Sequence, residues 1–136
     1  VALCGEGGNG SAVAVIHAGR KGLVAGVVEN AVLLFTEELG VAPEAAVAAI
    51  GAAIGPCCYE VDSQTATEFR ERFGPMPATG DNRLDLRLAA TGALKAAGVR
   101  SGNIHHLDIC TSCDDSFFSY RRDGITGRHG AMAWLV

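Results

Sequence analysis

Val1-Ala2-Leu3-Cys4, then Gly5-Glu6-Gly7-Gly8-Asn9-Gly10, then Ala12-Val13-Ala14-Val15-Ile16 is the stretch that decides the fold of this chain. Two short apolar runs on either side of a glycine cluster predict an antiparallel hairpin, because glycine supplies the backbone conformations that a tight reversal needs. The second run ends at His17, and Ala18-Gly19-Arg20-Lys21-Gly22 follows as a loop. Over residues 23–39 the apolar side chains Leu23, Val27, Leu34 and Phe35, with Val24, Val28 and Ala31, recur at helical spacing. Gly40 then stands where a left-handed residue ends the helix.

The same reading carries on to the far end of the chain. Pro43 opens a short helix, since proline is tolerated in a first helical turn. Residues 47–54 are small and apolar and predict a buried strand that stops at Gly55-Pro56, with residues 57–61 extending it. Asp62 is placed to cap a helix over 63–73, and residues 74–80, rich in proline and glycine, predict a loop. A further helix starts at Leu84 or Asp85, runs to about Ala97 and ends at Gly98. Residues 103–109 and 130–136 predict two more strands. Alternating helices and strands with at least one antiparallel pair suggest an α/β or α+β fold, in a single domain over residues 1–136.

Composition narrows the function classes. With 136 residues, 49% of them hydrophobic, the chain has enough apolar material for a core without cross-links. A net charge of −4 speaks against non-specific binding to nucleic acid, which needs a basic face. Glycine and charge interrupt every apolar run before bilayer length, and the first residues lack a basic segment followed by an apolar one. A cytoplasmic protein without a membrane or nucleic-acid partner is the expectation, and the five cysteines are expected to be reduced thiols. The opening on Val1, inside a strand-like run, suggests an N-terminally incomplete domain.

His17 is the centre of the candidate chemistry. A histidine at a strand end, before a glycine loop and a helix, stands where α/β architectures form ligand crevices. Arg20 and Lys21 beside it would suit an anion such as phosphate. The competing reading is a hydrogen-bonded histidine and two solvated cations.

Cys57-Cys58 reads as a small buried hydrophobe pair more readily than as ligand or nucleophile. Cys110-Thr111-Ser112-Cys113 is a lone CxxC; a four-cysteine zinc site would need a second pair, and the adjacent Cys57-Cys58 lacks the spacing of a knuckle. The segment Phe117-Phe118-Ser119-Tyr120-Arg121-Arg122-Asp123-Gly124 concentrates rings and arginines that could hold a planar, anionic ligand; alternatively Arg121 and Arg122 pair with Asp114, Asp115 or Asp123. His105 and His106 would point to opposite faces of a strand, and His129 reads as a surface residue.

Together these segments resemble one family. His17-Ala18-Gly19-Arg20-Lys21-Gly22, Ile54-Gly55-Pro56-Cys57-Cys58-Tyr59-Glu60-Val61, Asp85-Leu86, Cys110-Thr111, Phe117-Phe118-Ser119-Tyr120-Arg121-Arg122-Asp123 and Gly127-Arg128 stand in the order found in the YfiH, or laccase-domain, proteins. The resemblance implies an α+β fold of mixed β-sheets covered by helices, CNF/YfiH-like. It also implies a zinc-dependent purine nucleoside phosphorylase acting on adenosine, inosine and methylthioadenosine with phosphate, with adenosine deaminase activity besides. Copper belongs to the family's older oxidase reading. Of the family's metal ligands, two histidines and a cysteine, only one histidine has a counterpart here, at His17; the others would lie upstream of Val1. There the zinc would act as a Lewis acid or activate water.

Arg20-Lys21 replaces the family's Trp-Arg, so Lys21, with Arg20, would face phosphate as a point charge rather than a bidentate fork. Phe118, Arg121 and Arg122 would lie near the nucleoside. The alternatives are a Cys–His amide hydrolase, using the family's upstream cysteine or else Cys57 or Cys58 with His17, and a non-catalytic remnant lacking the metal site.

Overall fold

A computed structural model describes residues 1–8, 10–78 and 80–136; Asn9 of the expected turn and Thr79 of the expected loop lie outside the described residues. The hairpin forms as the glycine cluster predicts. Strand β1 (Ala2–Gly7) pairs antiparallel with β2 (Gly10–Val15), in a register running from Ala2 opposite Val15 to Gly7 opposite Gly10. Both strands are longer than their apolar runs, and Gly5 and Gly7 lie within β1 rather than in the turn. Their glycines answer to packing. A Cβ on Gly5 would lie 2.5 Å from Val41 Cγ1, and one on Gly7 would lie 2.3 Å from the Gly40 carbonyl oxygen. The segment around Gly40 thus passes against β1 at a distance only glycine allows.

Two further strands complete a mixed sheet. β3 (Val47–Ile50) pairs antiparallel with β1, and β4 (Ile104–His106) pairs parallel with β3, in the order β2-β1-β3-β4. Because β1 is antiparallel to both its neighbours, β2, β3 and β4 all run the same way. Val15, Ala2, Ala49 and His105 form one row across the sheet, so the chain after each of those three strands leaves by the same edge.

The helices cover this sheet. The expected helix over 23–39 is two helices, α1 (Arg20–Val24) and α2 (Val27–Glu37), parted at Gly26 with φ +79°. Apolar spacing runs through the break because both helices bury the same kind of face, while the left-handed glycine turns the axis. Helix α3 (Ser63–Phe73) begins where Asp62 accepts from the Thr65 N–H, and α4 (Leu86–Ala96) begins where Asp85 accepts from the N–H groups of Arg87 and Leu88. These carboxylates satisfy donors that a first turn leaves open. Helices α2 and α4 pack on each other and on strands of the sheet. Leu3, Leu23, Val28, Val32, Val41, Phe69, Leu84 and Leu94 are fully buried in the shared core. This is an α+β arrangement.

Pro43 opens a short helix, a single 3-10 turn over Pro43–Ala45. Several of the expected strands need correction. The expected strands over 47–54 and 103–109 shrink to the short β3 and β4, continued only by an isolated parallel bridge between Ala53 and Cys110; residues 57–61 form a turn and a bridge from Glu60 to Arg83. Residues 130–136 form no strand; Met132, Trp134, Leu135 and Val136 are exposed and pair with no strand among the described residues. Apolar content alone had suggested a strand there. No described helix is long and apolar enough to cross a membrane.

Candidate functional site

The edge where β2, β3 and β4 end carries the chemistry. His17 lies two residues beyond Val15 of β2 and is exposed. A Cβ on Gly19 would sit 3.0 Å from His17 Nε2, so the glycine after Ala18 leaves that nitrogen uncrowded. Along the same edge lies a mostly apolar cavity of about 390 Å³, lined by Val15, Gly51, His105, His106 and Leu107 among others. Such a crevice at the carboxyl ends of strands is the usual ligand position in sheets with parallel connections. His105 and His106, adjacent on β4, both border it; the His106 Nε2 lies 3.4 Å from Thr91 Oγ1.

Arg20 and Lys21 fall at the start of α1. Arg20 donates through Nη1 to Thr65 Oγ1 at 3.2 Å, so α1 is tied to α3. Lys21 is exposed and has no ion pair among the described residues.

The four cysteines beyond β3 and β4 come together. Cys57 Sγ and Cys58 Sγ approach Cys113 Sγ at 3.5 and 3.4 Å, and the sulfurs of Cys57, Cys58, Cys110 and Cys113 all lie within 4.8 Å of one another. None is in a disulfide. The cluster's donor set could hold a metal ion. Its sequence spacing hid it, since one pair is adjacent and the other is CxxC. The parallel pairing of β3 with β4 is what delivers both turns side by side, and that contact is not visible in either pair alone.

The sulfurs differ in their surroundings. Burial opposes ionisation of Cys110, but N–H groups of Gly55, Ser112 and Cys113 outweigh it and hold the thiol at about 6. The Gly55 N–H donates to Cys110 Sγ at 3.2 Å. Cys113, hydrogen-bonded first to Cys58 and then to Cys57 and Cys110, is pushed up to about 12. Hydrogen bonding to Cys110 also raises Cys57.

Arginines enclose the two turns. Arg121 donates to the carbonyls of Cys58 and Glu60 at 3.4 and 2.8 Å, and its guanidinium lies 5.3 Å from the Tyr59 ring centre. Arg122 donates to the carbonyls of Thr111, Ser112, Asp114 and Phe117, and pairs with Asp123 and Asp115. Arg83 donates to the carbonyls of Pro56 and Cys57. Arg121 is thus engaged with backbone carbonyls and the Tyr59 ring, and Arg122 with backbone carbonyls and carboxylates. Phe118 is half exposed, with the His129 ring stacked on it at 5.2 Å and His129 Nε2 3.0 Å from its carbonyl oxygen. Among the described residues no thiol hydrogen-bonds His17, and His17 is not part of the metal-capable cluster.

Comparison with known proteins places this geometry. The family model described as multi-copper polyphenol oxidoreductase laccase matches residues 1–136. The purine nucleoside phosphorylase YlmD of Geobacillus stearothermophilus is 40% identical over 125 residues, covering 85% of this chain and 46% of the relative. The purine nucleoside phosphorylase YfiH of Escherichia coli K12 is 39% identical, covering 93% of this chain and 52% of the relative. The chain therefore spans about half the length of these relatives. Among solved structures, the Bacillus licheniformis hypothetical protein YfiH superposes with a TM-score of 0.73 at 31% identity, over 90% of this chain and 49% of that one. The Geobacillus stearothermophilus YlmD structure gives 0.72 at 38% identity, over 84% and 44%.

Proposed function

Because the chain belongs to the multi-copper polyphenol oxidoreductase laccase family, we propose that the protein carrying it is a cytoplasmic purine nucleoside phosphorylase. The observation that carries the reading is His17, free at its Nε2 and set at the sheet edge beside the exposed Lys21, in a chain about 40% identical to relatives named for that activity. In the proposed reaction a phosphate oxygen bonds to the ribose C1′, the bond from C1′ to the purine nitrogen breaks, and the base leaves with its electron pair and takes a proton. Adenosine, inosine and methylthioadenosine are the proposed substrates, with adenosine deamination as a second activity.

Lys21 supplies a mobile positive charge for phosphate. Arg20 is held on Thr65, and in this reading it adds charge to the same loop. Phe118 presents a ring on which a purine could stack. Arg121 and Arg122 hold the carbonyls that shape the segment carrying that ring.

A catalytic zinc needs three protein ligands and an open position. The described residues offer one such ligand at His17, so they do not by themselves make that centre. In the proposal His17 is one ligand, and the rest come from outside residues 1–136.

The test is release of hypoxanthine from inosine, dependent on added phosphate, by the protein carrying this chain. His17→Ala should lower the rate at least about a hundredfold, while Lys21→Ala should raise the KM for phosphate about tenfold. Unchanged phosphorolysis in His17→Ala would overturn the assignment of His17. Amide hydrolysis abolished by thiol alkylation, with no base release, would favour the Cys–His hydrolase instead.

A further inference from the structure

We propose that Cys57, Cys58, Cys110 and Cys113 form a closed tetrathiolate site for one zinc ion, separate from His17, that fastens the turn after β3 to the turn after β4. Four observations carry it.

The first is size. Zinc–sulfur bonds are about 2.3 Å, which sets the edges of a tetrahedron of ligands at about 3.8 Å. The four sulfurs lie within 4.8 Å of one another, and two of the separations are 3.4 and 3.5 Å. Small side-chain movements bring them to tetrahedral geometry. The second is ligand number. Four protein sulfurs fill a tetrahedron and leave no position for water, which is the mark of a structural centre.

The third is the cradle. A Cβ on Gly55 would lie 3.3 Å from Cys57 Sγ, 3.3 Å from Cys110 Cβ and 3.4 Å from Arg87 Nη2, so glycine at this position spares both cysteine turns a tight contact. The Gly55 N–H already points at Cys110 Sγ, as amide donors do toward metal-bound sulfur.

The fourth is charge. The four sulfurs bind as thiolates, those still protonated releasing their protons to solvent, which leaves a centre of net charge −2 with no change of oxidation state. Arg83, Arg121 and Arg122 donate to carbonyls on the cysteine turns, and Arg87 borders the same gap as Cys57. Arg87 Nη1 is buried and faces the Asp108 carboxylate at 3.6 Å. Besides these bonds, the four guanidinium groups place positive charge around the two turns, which favours a dianionic centre there.

The experiment measures metal on the protein carrying this chain, purified under reducing conditions, stripped with chelator and titrated with zinc or cobalt alone. In the His17→Ala protein, where the proposed catalytic ion is not counted, zinc should rebind at one ion per chain with a rise in the thermal midpoint. Cobalt should give the intense visible d–d absorption and thiolate charge-transfer bands of a four-sulfur tetrahedron. Cys113→Ser should weaken zinc at least about a hundredfold, beyond the 10–100-fold that losing an outer partner costs, and should cut the cobalt charge-transfer intensity. Cys57→Ser provides a second variant if the first does not fold. His17→Ala should leave the four-sulfur cobalt spectrum in place.

Three results would overturn the proposal. They are a cobalt spectrum lacking thiolate charge transfer, zinc affinity unchanged in both cysteine variants, and iron rather than zinc retained at these sulfurs.

Discussion

Arg121 donates through Nη1 to the carbonyl oxygen of Glu60 at 2.8 Å, joining α5 (Tyr120–Asp123) to the chain leaving the Cys57-Cys58 turn. A second bond from the same nitrogen reaches the Cys58 carbonyl at 3.4 Å. Hydrogen bonds from a charged donor contribute more than neutral ones, though an exposed setting reduces the gain. Arg121→Ala should therefore lower stability by about 1–2 kcal/mol, read as a shift of the denaturant midpoint at unchanged slope. Arg121→Lys should recover part of the loss, since an ammonium can reach one carbonyl but cannot span both. A side chain that served only substrate would leave the midpoint where it is, so a null shift would return Arg121 to a purely ligand-facing role.

Asp62 offers a prediction in pH. Its carboxylate accepts from the Thr65 N–H at 2.8 Å and from the Thr65 hydroxyl at 2.9 Å; these bonds, helped by Arg20 nearby, hold it below the usual carboxylate range. A group whose value is depressed by folding contributes stability above its unfolded value, about 3.9, and loses that contribution as pH falls through the folded value. Asp62→Asn keeps an acceptor for the Thr65 N–H but does not titrate. The thermal midpoint of the wild type should exceed that of Asp62→Asn at about pH 7, and the gap should close on acidification to about pH 2. A gap that stays constant with pH would show that Asp62 contributes no ionisable cap.

The parts of the fold legible in sequence are those governed by neighbours along the chain. Asp62 and Asp85 cap α3 and α4 because short carboxylates compete for open N–H groups locally, and the hairpin follows from glycines between two apolar runs. What sequence reading missed depends on contacts far apart in the chain. Gly26 splits one expected helix because its left-handed backbone serves packing that helical spacing does not report. The apolar tail over 130–136 looked like a strand, yet strand formation needs a partner edge, and its apolar residues stay exposed. The cysteine cluster is the clearest case. Cys57 and Cys113 are 56 positions apart, and an adjacent pair lacks the spacing of a knuckle, whereas the parallel register of β3 and β4 decides that they meet. The signal that could have found them was two cysteine pairs, each a few residues past a predicted strand.

Gly19 and His17 support a prediction specific to function. Gly19 has φ −76° and ψ 167°, an extended conformation that alanine adopts freely, so Gly19→Ala brings no backbone strain. Its new Cβ would nonetheless meet His17 Nε2 at 3.0 Å, closer than side-chain atoms ordinarily approach, and the ring is the part free to move. The imidazole should swing away while the strand and helix on either side stay in place. The expected result is an unfolding midpoint within about 0.5 kcal/mol of wild type, together with a loss of phosphorolysis on the order of a hundredfold, because a displacement of about 1 Å at a reacting centre costs that much. Thermal melts and inosine turnover on the same preparation check both halves. Full activity in Gly19→Ala would mean that the position of Nε2 does not matter to the reaction.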